Sequence, residues 1–193
     1  MPRRGAADSE QDAAFYDRFY RKTPGYKMPW ESMPTAAIWR EIAATIDANK
    51  LPVTELGCGT GQLASCLKER MPDLDYLGID FSPVAIWIAE GLYPYIRFKL
   101  ADFNQSGAFK RDGAVVLSDV LSRIENDRIL LHRVPPGRLV VFTLPNFDDP
   151  GYLRYFDTAG DLTTWYESCF SSLDARFVAT RDRLGFWLAI GRT

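Results

Sequence analysis

Glu55-Leu56-Gly57-Cys58-Gly59-Thr60-Gly61 closes a short apolar run, Val53 to Leu56, and opens a helical pattern from Gln62 to Arg70. Glycines at alternate positions let the main chain turn sharply between strand and helix. They also let a ligand approach the backbone, with the unpaired N–H groups of the following helix close by. A glycine pair by itself equally fits a tight turn that binds nothing, so the surroundings decide. Tyr76-Leu77-Gly78-Ile79-Asp80 ends a second apolar run with an acid 19 residues after Gly61. A carboxylate that accepts from two ribose hydroxyls belongs there in a nucleotide-binding α/β architecture. The plain alternative for Asp80 is a helix cap or a solvated loop acid. Asp102, two residues past a third run, is placed to accept from the exocyclic amine of an adenine with Phe103 beside the base. Asp102-Phe103-Asn104 is also ordinary turn chemistry.

Working outward, apolar runs alternate with helical patterns. The runs are Val53 to Leu56, Tyr76 to Ile79, Ile96 to Leu100, Ala114 to Leu117 and Leu139 to Thr143. Helices are predicted at Gln62 to Arg70, Pro83 to Glu90 and Asp127 to Arg133, with Ser82-Pro83 as a start and Gly91 as a stop. This rhythm is that of a parallel sheet covered on both faces. After Pro145 come a loop, a helix near Leu162 to Phe170, and two β-rich runs, Ala175 to Thr180 and Phe186 to Ile190, which predict a terminal antiparallel hairpin. Upstream, Phe15, Tyr16, Phe19 and Tyr20 mark one face of a short helix from Ala13 to Lys22. Thr35 is the expected N-cap of another, which carries Ile38, Trp39, Ile42 and Ile46. Residues 1–10 read as a disordered lead-in, and residues 11–193 as a single domain whose segment 11–33 precedes the sheet.

Composition narrows the function. The 193 residues, 47% of them hydrophobic, suffice for one core that buries roughly 70% of the unfolded surface. Apolar runs fall short of the ~18 residues needed to cross a bilayer, and the first residues lack a secretory apolar stretch. A cytoplasmic protein without a membrane partner is the expectation. Three cysteines without C-x-x-C spacing argue against disulfides and structural metal. A net charge of −2, with scattered basic residues, gives no strong nucleic-acid signal and favours a small-molecule partner.

Taken together, these motifs resemble those of the class I S-adenosylmethionine-dependent methyltransferases over about Leu51 to Pro145. Glu55 to Gly61 is similar to their first motif, Ile79-Asp80-Phe81-Ser82 to their second, and Ala101-Asp102-Phe103 to their adenine-contacting loop. Val116-Leu117-Ser118-Asp119-Val120-Leu121 resembles the segment after their fourth strand, and Pro135 to Val140 the turn into their fifth. The resemblance implies a Rossmann-like α/β fold with a seven-stranded, mostly parallel sheet ordered 3-2-1-4-5-7-6, the last strand antiparallel. It implies S-adenosyl-L-methionine as cofactor, held by Glu55, Gly57, Cys58, Gly59, Thr60, Gly61, Asp80, Phe81, Asp102, Phe103 and Ser118. A dinucleotide-dependent dehydrogenase is the rival within the same fold, but Gln62 stands where its third glycine belongs and Gly61 comes one position early.

The chemistry implied is methyl transfer to an O, N or S atom of a small molecule. A macromolecular methyltransferase and a non-catalytic cofactor-binding module are the alternatives. Many small-molecule members carry Glu-His-Ile after the fourth strand, where this chain reads Ser122-Arg123-Ile124. The single histidine, His132, lies elsewhere, in a surface or packing position. Asp119 is then the candidate base, needed only for a hydroxyl or protonated amine acceptor, and it equally fits a helical cap. Tyr16, Tyr20 and Asn146 are candidate orienting groups. Tyr16, Tyr20 and the Pro29-Trp30-Glu31 element resemble the aromatic entry segments of small methyltransferases, so segment 11–33 is the expected lid, with Tyr16, Tyr20 and Trp30 as further cofactor contacts. A plain amphipathic cover for the sheet is the alternative. The loop from Asn146 to Gly160 is the other candidate substrate wall.

Overall fold

A computed structural model describes residues 1–104, 107–181 and 183–193. Asp182, within the polar turn expected between the hairpin strands, lies outside them. After strand β1 (Arg3–Arg4), helix α1 (Ala13–Lys22) starts at Asp12, whose carboxylate accepts from the Phe15 N–H at 2.8 Å, and it ends with Arg21 and Lys22 in its last turn. An N-terminal cap and C-terminal cations each suit the helix dipole. Helix α2 (Ala36–Asn49) buries Ala36, Ile38, Ile42, Ala43 and Ile46 along one stripe. Thr35 precedes it but makes no cap bond, contrary to the expectation from sequence. Its backbone already lies in the helical region, at φ −84° and ψ −1°, whereas a capping side chain usually extends from β-region backbone.

Strand β2 (Val53–Leu56), helix α3 (Gln62–Arg70), strand β3 (Tyr76–Asp80), helix α4 (Pro83–Leu92) and strand β4 (Phe98–Leu100) follow in the expected alternation. Ser82 caps α4, its hydroxyl accepting from the Ala85 N–H at 3.1 Å, with Pro83 at the first helical position. The helix passes through Gly91, the stop expected from sequence, and closes at Tyr93. Gly91 is not among the glycines of positive φ, so nothing in the backbone there demands a terminus. Next come β5 (Ala114–Leu117), α5 (Asp127–His132), β6 (Leu139–Pro145), β7 (Arg154–Tyr155), α6 (Ala159–Tyr166), β8 (Ser172–Arg181) and β9 (Leu184–Arg192). Strands β2, β5 and β6 are buried at every position, which is why their sequences read as mainly apolar runs, interrupted by the buried Thr54, Glu55 and Thr143.

The residues form two compact units, Asp12–Ala114 and Met1–Gln11 with Val115–Thr193. To one seven-stranded sheet the first brings the run β4-β3-β2 and the second β5-β6-β9-β8. Counted along the chain, these are the orders 3-2-1 and 4-5-7-6 that the family resemblance implies. β2 to β4 pair in parallel, as do β5 and β6, while β9 runs antiparallel to both β6 and β8.

The opening residues depart from the disordered lead-in expected of them. β1 pairs antiparallel with β7, the Gly5 and Ala7 N–H groups donate to the Leu153 and Tyr152 carbonyls at 2.9 Å each, and Ala7 is buried. A Cβ on Gly5 would lie 2.0 Å from the Tyr152 carbonyl oxygen, so the segment fits because that residue is glycine. Main-chain pairing of this kind leaves no apolar periodicity in a polar sequence.

Candidate functional site

Several of the residues singled out in Asp12–Ala114 meet at the turn that follows β2. Gly57, Gly59 and Gly61 all adopt positive φ, at 72°, 53° and 87°, a conformation that side-chain-bearing residues rarely enter. The N–H groups of Gly57 and Cys58 both donate to the Ile79 carbonyl, at 2.8 and 3.1 Å. Gly59 donates to Asp80 Oδ2 at 2.8 Å, and the Ser82 N–H donates to Asp80 Oδ1 at 2.9 Å. The glycine turn and the acid therefore share one hydrogen-bonded frame at the carboxyl ends of neighbouring parallel strands. Gly61 is further constrained by its surroundings, since a Cβ there would stand 2.8 Å from the Phe98 ring and 3.0 Å from that of Tyr93.

Beneath the turn lies a buried cluster of acidic side chains. Glu55 is 2% exposed and accepts from the Tyr76 hydroxyl. Burial above all, with the nearby charge of Asp80, pushes its carboxyl up to about 8, against the opposing effect of the Tyr76 bond. Asp80 is likewise buried, and desolvation raises it to about 6 although main-chain N–H groups of Ser82, Gly59 and Phe81 favour its charged form. Cys58 is buried with its sulfur toward Gly78, where a Cβ would approach to 2.9 Å. Burial, together with the charges of Asp80 and Glu55, drives its thiol well above the usual range. Cys58 thus offers the site its main chain, not a reactive sulfur.

The N-terminal segment lies against this frame. The Tyr20 hydroxyl stands 3.0 Å from the position of a Gly59 Cβ, and the Tyr16 ring meets Phe81 edge-on at 5.5 Å. Thr60, only 1% exposed, donates its hydroxyl to the Tyr26 carbonyl at 2.7 Å, and the Gln62 amide donates to the same oxygen. Thr60 therefore fastens the segment to the turn. Trp30 is held elsewhere. Its indole N–H donates to Glu69 at 2.8 Å and Arg40 stacks on its ring at 5.0 Å. Its partners lie on two helices, Arg40 on α2 and Glu69 on α3.

Ala101 donates its N–H to the Asp80 carbonyl at 2.9 Å, which sets Asp102 and Phe103 beside the end of β3. Asp102 accepts from the Asn104 N–H at 2.8 Å and Phe103 is buried. Turn chemistry and proximity to the acid are both present. Reading the sequence alone misses Tyr26, which acts through its main chain, and Asp17, whose carboxylate accepts from the Ser82 hydroxyl at 2.6 Å. It also misses Tyr76 as the partner of Glu55. The available signal is period two, because Tyr76, Gly78 and Asp80 alternate on one face of β3 in register with Val53 and Glu55.

In the other unit, Ser118 is half-buried after β5 and Asp119 takes positive φ, 59°. Asp119 Oδ2 pairs with Arg123 at 2.7 Å, and Arg123 Nε donates to the Asp119 carbonyl at 3.1 Å. The Arg123 guanidinium lies over the buried Tyr152 ring at 4.5 Å. Asn146, a candidate orienting group, is engaged with the β8–β9 hairpin through Gly185 and Arg183. His132 is exposed, with its Nε2 3.7 Å from Cys169 Sγ. Asp127, which the sequence does not single out, is 3% exposed and accepts from the Tyr166 hydroxyl at 2.7 Å and the Trp165 indole at 3.1 Å while pairing with Arg154 at 3.1 Å.

Comparison with known proteins agrees with this geometry. Residues 53–133 match the family model described as a methyltransferase domain. The chain is 35% identical over 121 residues to demethylmenaquinone methyltransferase of Thermus thermophilus, covering 55% of this chain and 54% of that one. It is 27% identical over 105 residues to trans-aconitate 2-methyltransferase of Methylobacterium radiotolerans, covering 52% and 40%. The chain spans about half the length of these curated relatives. Magnesium protoporphyrin IX methyltransferase from Synechocystis, solved with bound S-adenosylmethionine, superposes with a TM-score of 0.66 at 17% identity, over 96% of this chain and 99% of that one. The glycine turn, the strand-end acid and the strand order accord with the Rossmann-like fold of the S-adenosylmethionine-dependent methyltransferases, to which the chain is similar.

Proposed function

We propose that the chain moves the methyl group of S-adenosylmethionine to an oxygen, nitrogen or sulfur atom of a small molecule, with residues 11–193 acting as one methyltransferase domain. One observation carries the reading: three left-handed glycines and a buried carboxylate are joined by the Gly59–Asp80 bond into a single cradle. The donor lies along the main chain from Gly57 to Gly61. Asp80 accepts from its ribose hydroxyls, and Asp102 with Phe103 flanks the base. Tyr16 and Tyr20 exclude water as parts of a lid. The donor supplies a methyl carbon already activated by its sulfonium. What remains for the protein is alignment and desolvation, which are large terms in such displacements.

A small acceptor is favoured by the relatives, whose names give menaquinone-type and aconitate methylation. Asp119 enters this reading as the holder of Arg123 rather than as a base, because its carboxylate already carries that ion pair. Trp30 serves as an anchor between α2 and α3. A cytoplasmic setting is supported by Cys58, Cys66 and Cys169, all unpaired.

The test is incubation with methyl-labelled S-adenosylmethionine and a fractionated cell extract. Label in small molecules supports the proposal. Label in protein or RNA points to a macromolecular acceptor, and binding without transfer points to a non-catalytic module.

A further inference from the structure

Asp17 is the one acid on α1, and it faces the start of α4. Its Oδ1 accepts from the Ser82 hydroxyl at 2.6 Å and from the Val84 N–H at 3.3 Å. The same Ser82, fully buried, gives its main-chain N–H to Asp80 Oδ1 at 2.9 Å. One serine therefore joins two carboxylates, one on the lid helix and one at the end of β3. Tyr16, one residue before Asp17, meets Phe81, and Tyr20, three residues after it, stands over Gly59. Of the contacts described for Tyr16, Asp17 and Tyr20 of α1, that of Asp17 is the charged one, and it meets the N-terminus of a ten-residue helix, where unpaired N–H groups favour an anion.

We propose that Asp17 is a positioning residue that latches the N-terminal segment over the glycine turn and, through Ser82, fixes the Asp80 carboxylate in the orientation a bound ribose uses. The inference rests on the cofactor reading under the proposed function. The groups facing Asp80 are Asp17 from α1, Glu55 from β2, Cys58 from the turn and Tyr76 from β3; burial raises the proton affinity of Asp80 most, and the charge of Asp17 adds a smaller push in the same direction. Removing that charge makes Asp80 more acidic. A residue that merely packs α1 would leave this property unmoved.

The full chain is compared with Asp17→Ala and Asp17→Asn in two measurements. In limited trypsin digestion without ligand, cleavage after Arg18, Arg21 and Lys22 is expected to be about ten-fold faster in Asp17→Ala. In calorimetric titration with S-adenosylhomocysteine from pH 5 to 8, Asp17→Ala is expected to bind about ten-fold more weakly at pH 7.5. Asp17→Asn keeps an acceptor for Ser82 and is expected within about three-fold of the parent at pH 7.5. Its acid limb, the pH range in which affinity falls, moves to lower pH. Unchanged cleavage and affinity in Asp17→Ala, or an unmoved acid limb in Asp17→Asn, overturns the latch. Should Asp17→Ala not fold, the acid limb of Asp17→Asn decides. Failure of the parent chain to bind S-adenosylhomocysteine would overturn the cofactor reading instead, and cleavage would then judge the latch alone.

Discussion

Gly59 gives its main-chain N–H to the Asp80 carboxylate across 2.8 Å, although the two residues stand 21 apart in sequence. They meet because β2 and β3 pair in parallel with Leu56 opposite Ile79, so the turn after one strand comes against the last residue of the other. The bond leaves Asp80 with further acceptor capacity, since each carboxylate oxygen has more than one acceptor site. It also makes the glycine turn and the acid one hydrogen-bonded unit, whose two parts can be perturbed separately.

The left-handed turn is tested at Gly61. Gly61→Ala adds a Cβ at φ 87° and within 2.8 Å of the Phe98 ring. Overpacking of this kind costs about 1–3 kcal/mol, and a chain of this length loses roughly 2–4 °C of Tm per kcal/mol. Calorimetric melting is therefore expected to fall by several degrees. A variant that melts with the parent would mean that the turn can relax and is not constrained as described.

Glu55 makes a pH-dependent contribution to stability whose sign is fixed by its burial. Its carboxyl holds a proton to about pH 8 in the folded chain and releases it near the ordinary 4.5 when unfolded. Between those values the folded state binds more protons, so stability falls as pH rises and is lowest above about 8. Asp80 acts in the same direction between 3.8 and about 6. Glu55→Gln should flatten the decline between about pH 6 and 8, where one proton accounts for at most about 1.4 kcal/mol per pH unit. Denaturant titrations at several pH values measure it, and equal slopes in both proteins would contradict the assignment.

Much of the fold is legible because its signals are local. The runs Val53 to Leu56 and Ala114 to Leu117 appear as strands with the same bounds, and the aromatic repeat from Ala13 to Lys22 as a helix. Strand order comes through family resemblance and not from periodicity. The features hidden from sequence are made by main chain or by distant partners. β1 pairs through backbone groups of polar residues, Tyr26 acts through its carbonyl, and Asp17 meets Ser82 across 65 residues. Thr35 misleads because a favourable residue type does not ensure capping dihedrals. The Pro-Trp context of Trp30 likewise says nothing about Glu69, the partner that holds its indole.

Asp127 is predicted to matter for stability although it belongs to no motif. Its carboxylate is 3% exposed and joins Arg154, Tyr166 and Trp165. Removing one partner of a buried pair typically costs about 3–5 kcal/mol, because the other charge is left uncompensated. Asp127→Ala should melt roughly 6–20 °C below the parent. A loss of under about 2 °C would show that Arg154 finds sufficient compensation in the carbonyls of Leu121, Ile124 and Glu125.

Cofactor affinity should carry the titration of Asp80. Only the ionised carboxylate accepts from both ribose hydroxyls, and burial holds its proton to about pH 6. Affinity for S-adenosylhomocysteine is then level above about pH 7 and falls toward ten-fold per unit below 6. Titrations across that range check the limb, and constant affinity down to pH 5 would separate Asp80 from the bound ligand.

The most direct test is calorimetric titration of S-adenosylhomocysteine into the parent chain and Asp80→Ala at pH 7.5, with circular dichroism as the folding control. A lost hydrogen bond to a charged acceptor is worth about 1.5–3 kcal/mol, so the variant should bind roughly 10- to 150-fold more weakly while remaining folded. Asp80→Asn, which keeps the shape and loses the charge, should fall between the two. A folded Asp80→Ala chain with the parent's affinity would contradict the account, and would leave Gly57 to Gly61 as a tight turn between a strand and a helix.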